Sequence, residues 1–260
     1  MQLLRTPSGV LFGLRGETSG GPAPLLFQFG GTIKDALTNP DFCRSSDLLI
    51  ERGWRVVSID LPVHGTEVRE GETEWDMNGW RKRLERGENL MADFMRRGTA
   101  VLDHCVAQRI ADPDRIAAAG SSRGGFSALH LAAADGRPKW IGAIAPLTKL
   151  TVPREFEPAQ YLTAARALAV HNLVDKLVGK SVWICIGNDD QRVGTDSTIE
   201  FSRRLVETNK GRGLEADVEL HVLNYDGHLS TPADHDALAA WLHAKASGQK
   251  PAGYGTLKLP

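Results

Sequence analysis

Short apolar runs that do not alternate with polar residues recur along the chain, each followed by a stretch that reads as helix. The runs are residues 25–29 (LLFQF), 55–60 (RVVSID), 115–119 (RIAAA), 140–145 (WIGAIA), 181–186 (SVWICI) and 218–223 (VELHVL). Helical spacing or helix-forming composition marks residues 45–53, 84–110, 128–134, 159–178, 198–208 and 233–246. A strand buried on both faces has no need to alternate, and strand–helix–strand order requires crossover connections. The expectation is an α/β fold, a mostly parallel central sheet with helices on both faces. A hairpin of residues 3–5 and 10–14, turned at Pro7, Ser8 and Gly9, precedes the series. The last helix has a marked start, with Thr231 as cap, Pro232 at the first helical position and Asp234 completing the box. Residues 61–80 read as a long polar loop, and 250–260 as an uncommitted tail.

The chain has 260 residues, 42% hydrophobic and 24% charged. That suits one domain over residues 1–260 and excludes a disordered, collagen-like or coiled-coil chain. A net charge of −1 gives no field that would draw nucleic acid or an anionic membrane. No run approaches the ~18 apolar residues of a membrane span. Arg5, Arg15 and Glu17 interrupt the start where a signal peptide would be continuously apolar. Cys43, Cys105 and Cys185 contain no CxxC pair and are odd in number, so they read as buried, reduced thiols of a cytoplasmic protein.

Ligands of such sheets bind at the carboxyl ends of the strands. The run at 115–119 leads into Gly120-Ser121-Ser122-Arg123-Gly124-Gly125, a G-x-S-x-G between strand and helix. A turn this sharp needs small neighbours, and it lifts the hydroxyl of Ser122 clear of the sheet above a helix N-terminus. Ser121 is not centred between the glycines. The run at 181–186 ends in Gly187-Asn188-Asp189-Asp190, which supplies a carboxylate at 189 or 190. The run at 218–223 leads to Tyr225-Asp226-Gly227-His228. A serine, an aspartate and a histidine thus fall at strand ends in the order that a nucleophile, an orienting acid and a base take in such sheets. Each has a plain alternative: a glycine-rich turn, Asp-rich turn chemistry and a surface histidine.

Together with the turn Ile59–Gly65 (IDLPVHG), these motifs make the chain resemble the serine hydrolases of the α/β-hydrolase fold, of the esterase and prolyl-oligopeptidase-like catalytic-domain kind. The resemblance covers about residues 25–246. In IDLPVHG, Val63 stands where the family's D-x-x-G-x-G turn has glycine. The family's G-x-x-D-x-x-V spacing fits Gly187, Asp190 and Val193, which implies Asp190 as the acid and Asp189 as runner-up. It implies oxyanion donors at the amide of Arg123 and in the loop after residues 25–29, at Gly31 with Thr32 next; many relatives carry histidine at the position of Phe29. Ser122 would attack an acyl carbonyl with His228 as base, and no cofactor or metal is called for.

The expected partner is a small-molecule acyl substrate, a small to medium carboxylic ester, with a thioester, lactone or peptide-like amide as alternatives. The rival from another class is a hydrolase-fold binding protein without activity. Trp75, Trp80 and Tyr161 are the candidate pocket residues, Tyr161 in a small cap-like insertion at 147–180. His64 reads as a structural turn residue, His235 and His243 as exposed positions of the last helix, and Cys185 as core.

Overall fold

The computed structural model describes residues 1–251. In chain order it contains β1 (Gln2–Arg5), β2 (Leu11–Arg15), β3 (Ala23–Phe29), α1 (Ile33–Thr38), α2 (Pro40–Ile50) and β4 (Arg55–Ser58). Next come α3 (Asn78–Glu85), α4 (Leu90–Ala107), β5 (Ala111–Ser121), α5 (Arg123–Ala134) and β6 (Pro138–Ile144). The chain continues with α6 (Thr163–Ala167), α7 (Val174–Leu177), β7 (Ser181–Asp189), α8 (Thr195–Gly211), β8 (Val218–Asp226) and α9 (Pro232–Ala246). The strands form one sheet in the order β1-β2-β4-β3-β5-β6-β7-β8. The β1–β2 hairpin is antiparallel and joins β4 antiparallel; every other pairing is parallel.

Residues alternate between the faces of a strand. Leu25, Phe27 and Phe29 of β3, with Ile116 and Ala118 of β5, pack into a core with Phe94, Val101, Phe126 and Phe201 of the helices α4, α5 and α8. Leu26, Ala117 and Ala119 face the other way, toward Leu37, Leu49, Leu238 and Leu242 of α1, α2 and α9. Apolar cores on both faces remove the need for alternation. The alanines of β5 keep the helices close to the middle of the sheet.

Departures from expectation have local causes. Residues 84–110 are two helices, because Gly87 turns at φ +78° and Asn89 caps α4 through the amide of Ala92. The stretch 61–80 holds a short turn of 3₁₀ helix at Gly65–Glu67 and the start of α3. Residues 159–178 are not one helix. The Asn172 side-chain amide takes the carbonyls of Arg166 and Ala167, and Val170 N–H turns to Thr148 O, which ends α6. The tail at 250–260 lies, beyond Pro251, outside the described residues. Among the described residues no helix is long and apolar enough to cross a membrane. Cys43, Cys105 and Cys185 are unpaired and buried. Burial pushes the Cys105 thiol up to about 12 and raises that of Cys185, so neither is poised as a thiolate nucleophile.

Two buried histidines make stability depend on acid. His130 of α5 lies 2.9 Å from Leu168 O through Nε2 and packs on the Phe126 ring at 4.3 Å. His64 follows β4 and is equally buried. Burial pushes both down to about 4 from an ordinary 6.5. The unfolded chain therefore binds their protons first as pH falls. Their neutral forms are fully accommodated above pH 6.5, and stability drains between 6.5 and 4 by on the order of 3 kcal/mol each. Urea midpoints should fall across that window, and His130→Gln, which can still donate to Leu168 O, should flatten the slope. An unchanged slope in His130→Gln would remove His130 from the account.

Candidate active site

A single residue separates β5 from α5, and it is Ser122. Its φ of 54° and ψ of −117° lie where side-chain-bearing residues rarely sit. Two features hold it there. Ser122 N–H donates to Ile144 O at 2.9 Å, and Ser122 O accepts from Phe126 N and Leu147 N, both at 3.1 Å. The glycines leave no alternative: a Cβ on Gly120 would stand 2.5 Å from the carbonyl carbon of Gly124, and one on Gly124 would stand 2.2 Å from Phe29 O. The Ser122 side chain makes no capping bond to α5. It lines a cavity of about 380 Å³ together with His228, Gly30, Trp75 and Arg123.

Asp190 follows β7 directly and is buried. Its Oδ1 accepts from the amides of Arg192 (3.0 Å) and Val193 (3.1 Å). Its own amide donates to Thr195 Oγ1 at 3.0 Å, and that hydroxyl donates to Gly187 O at 2.6 Å. The remaining oxygen, Oδ2, lies 2.8 Å from His228 Nδ1. A carboxylate only accepts, so Nδ1 carries the proton and Nε2 is left as the basic nitrogen. Asp189 is exposed and engages the Gln191 side chain. The turn that carries His228 is fixed by Gly227, at φ +80°, whose N–H donates to Asp189 O at 3.1 Å.

The loop after β3 is tied to the turn after β4. Asp60 Oδ1 accepts from Ile33 N at 2.7 Å, and its Oδ2 accepts from the amide and hydroxyl of Thr66, both at 2.9 Å. Gly30 lines the cavity, whereas Gly31 is buried against the His64 ring. Thr32 is corrected as an oxyanion donor. Its amide is engaged by Asp35 Oδ2 at 3.3 Å in the capping box of α1. His64 sits in the turn after β4: its Nδ1 donates to Pro62 O at 2.9 Å, and its Nε2 is buried beside Gly31 with no hydrogen-bond partner among the described residues. Its only sequence signal was a histidine at a strand end. Ser230 and Arg192, also on the cavity wall, gave none.

The three candidate pocket aromatics separate. Trp75 is 77% exposed and lines the cavity mouth. Trp80 is 0% exposed. Its Nε1 donates to Pro62 O at 2.7 Å and its ring packs on Phe126 at 5.9 Å, so it is core and not pocket. Tyr161 is 85% exposed and lies under Arg166 at 5.4 Å, outside the cavity lining. Trp80→Ala should then destabilise by ~3–5 kcal/mol, read as a lowered urea midpoint. A near-neutral midpoint would return Trp80 to the surface. His235 is also corrected: it is buried, with Nε2 2.8 Å from Ser230 Oγ. His243 is half-buried and faces Trp54 Nε1 at 3.4 Å.

The family model described as "Putative esterase" matches residues 12–244. Among solved structures, the chain is similar to an acetyl xylan esterase from Paenibacillus sp. R4, at 18% identity over 93% of this chain and 82% of that one, with a TM-score of 0.62. It is similar to a cold-adapted esterase from an Arctic intertidal metagenomic library, at 20% identity over 96% and 93%, with a TM-score of 0.65. It also matches the acylaminoacyl peptidase of Pyrococcus horikoshii, at 14% identity over 99% of this chain and 44% of that one, with a TM-score of 0.70. No curated protein matches the chain. At these identities the likeness is one of architecture, the α/β-hydrolase fold.

Proposed function

The chain belongs to the esterase family, and from that premise we propose that it hydrolyses a small to medium carboxylic ester through Ser122, His228 and Asp190. One observation carries the reading. A histidine held at 2.8 Å by a buried carboxylate opens on the same cavity as a serine in a strained strand-to-helix turn. The roles follow from the chemistry. His228 Nε2 takes the proton of Ser122 as Oγ attacks the ester carbonyl. Asp190 keeps the other nitrogen protonated and offsets the charge the ring acquires. The amide of Arg123, at the positive end of α5, receives the developing oxyanion, with a second amide from the Gly30–Gly31 turn, Gly31 on the family pattern. The alcohol leaves with the proton from His228, and water, activated by the same nitrogen, releases the acid. A cavity of about 380 Å³ is at the small end of the range for ligand sites, which suits a short acyl group. Leu147 and Pro153 in its wall support reading residues 147–180 as a small cap on one domain.

A fluorophosphonate probe, which needs an activated serine, tests the reading together with p-nitrophenyl esters of graded length. Labelling at Ser122 with turnover of the shorter esters is the expected result. A folded protein that neither labels nor turns over any ester is a hydrolase fold used for binding.

A further inference from the structure

Arg123 is among the residues that line the cavity beside Ser122, and it is half-buried. The guanidinium Nη1 donates to the backbone carbonyls of Glu74 and Asp76, each at 3.2 Å. Both acceptors are neutral, and among the described residues no carboxylate forms an ion pair with this side chain. The neighbouring cation is treated differently. Arg192, also on the wall, is held by Glu155 through a two-pronged pair at 2.5 and 2.9 Å. The other charged residue of the lining, Asp41, is exposed and is not among the charges that act on Arg123, which are Arg192, Glu155 and Asp76. Burial first, and then Arg192, lower the Arg123 guanidinium to about 10. Glu155 is already claimed by Arg192, and the Asp76 carboxylate, which acts on Arg123 through space, is hydrogen-bonded to Asn78 and Thr73, so among the described residues no carboxylate is hydrogen-bonded to the Arg123 guanidinium.

A guanidinium is the side chain best suited to a carboxylate, through two parallel N–H···O bonds in a site partly shielded from water. Resting on the serine-hydrolase reading of the same site, we propose that Arg123 is a specificity-determining residue that selects esters carrying a carboxylate a short chain away from the scissile carbonyl. The chain must be short because the guanidinium and the oxyanion-binding amide belong to one residue. The bonds to Glu74 O and Asp76 O orient the guanidinium and hold the Trp75 segment against the cavity.

The test compares p-nitrophenyl hydrogen glutarate with p-nitrophenyl valerate, which match in chain length and differ in the terminal carboxylate. Wild-type kcat/KM should favour the anionic ester by about tenfold or more. The preference should fall by about tenfold or more in Arg123→Gln and be partly kept in Arg123→Lys. A role confined to holding the Trp75 segment would lower both esters alike and leave their ratio unmoved. Calorimetry on Ser122→Ala gives a readout that needs no turnover: methyl hydrogen glutarate should bind at least tenfold tighter than methyl valerate, and the difference should vanish in Ser122→Ala/Arg123→Gln. Equal binding of the two methyl esters, or a ratio indifferent to Arg123, overturns the subsite. Wild-type protein labelled at Ser122 but without anion preference overturns the subsite alone. Wild-type protein that is not labelled overturns the hydrolase reading and the subsite with it.

Discussion

Ser122→Ala should lower kcat for a p-nitrophenyl ester by ~10⁴–10⁶ and abolish fluorophosphonate labelling. The loss is large because no other group takes over. Ser121 Oγ is buried with no hydrogen-bond partner among the described residues, and its backbone is still in β5. What remains in the variant is the helix end, the Arg123 amide and the cavity, which together retain a small rate over water. Stability should hardly change. Alanine bears the same φ of 54° at the same cost, and Ser122 N–H and C=O keep their bonds to Ile144, Phe126 and Leu147. The melting temperature should stay within a few degrees while the rate collapses. Full activity in a folded Ser122→Ala protein would sink the assignment of the nucleophile.

Asp190→Asn should cost ~10⁴ in kcat, with Asp189→Asn within threefold of wild type. The geometry explains the size. The amides of Arg192 and Val193 both donate to Oδ1, which in the variant must remain the carbonyl oxygen of the asparagine. That turns the asparagine NH₂ toward His228. The ring then presents a bare Nδ1 to it and carries its proton on Nε2, the nitrogen that should receive the proton of Ser122. The fold survives because the two backbone donors keep their acceptor. Asp189 is exposed, and its contribution to the His228 turn is its backbone carbonyl, which asparagine preserves. Rates measured on both variants decide it, and the reverse ranking would transfer the role to Asp189.

The parts of this protein that could be read from its sequence are those determined within a few consecutive residues. The turn at Ser122 needs a strand, two glycines and a helix, all of which lie between residues 111 and 134. The parallel sheet was legible because burial on both faces leaves strands without alternation. The pocket was not legible, because a tryptophan looks alike in either orientation. Trp75 lies in the irregular stretch before α3 and is exposed, whereas Trp80 lies within α3 on its buried face. The start of α3 escaped notice for a related reason. That helix has few apolar residues besides Trp80 and Leu84, and much of its sequence is charged: Arg83 pairs with Glu72 at 2.6 Å, both nearly buried, and Arg81 pairs with Glu85 at 2.6 Å. The alanine-rich stretch at 159–178 misled in the opposite direction. Alanine favours helix wherever nothing competes, but Asn172 and Thr148 compete for the backbone there. His235 looked exposed because helix position alone does not show that α9 packs against α2, where Ser45 Oγ lies 3.4 Å from its Nδ1.

Val63 carries a further implication. It is a β-branched residue at φ 62° and fully buried. Its Cγ1 would stand 2.4 Å from a Cβ placed on Gly79. The two positions are therefore interlocked, and the order of substitution in a lineage is constrained. A side chain cannot be gained at 79 while valine occupies 63, whereas glycine at 63 both relaxes the backbone and vacates the space. Passage between this pairing and the reverse one runs through an intermediate with glycine at both places, where the core at the first turn of α3 is left underfilled. Related sequences should accordingly fall into two groups, one filling this space from position 63 and one from position 79, with few that fill it from both.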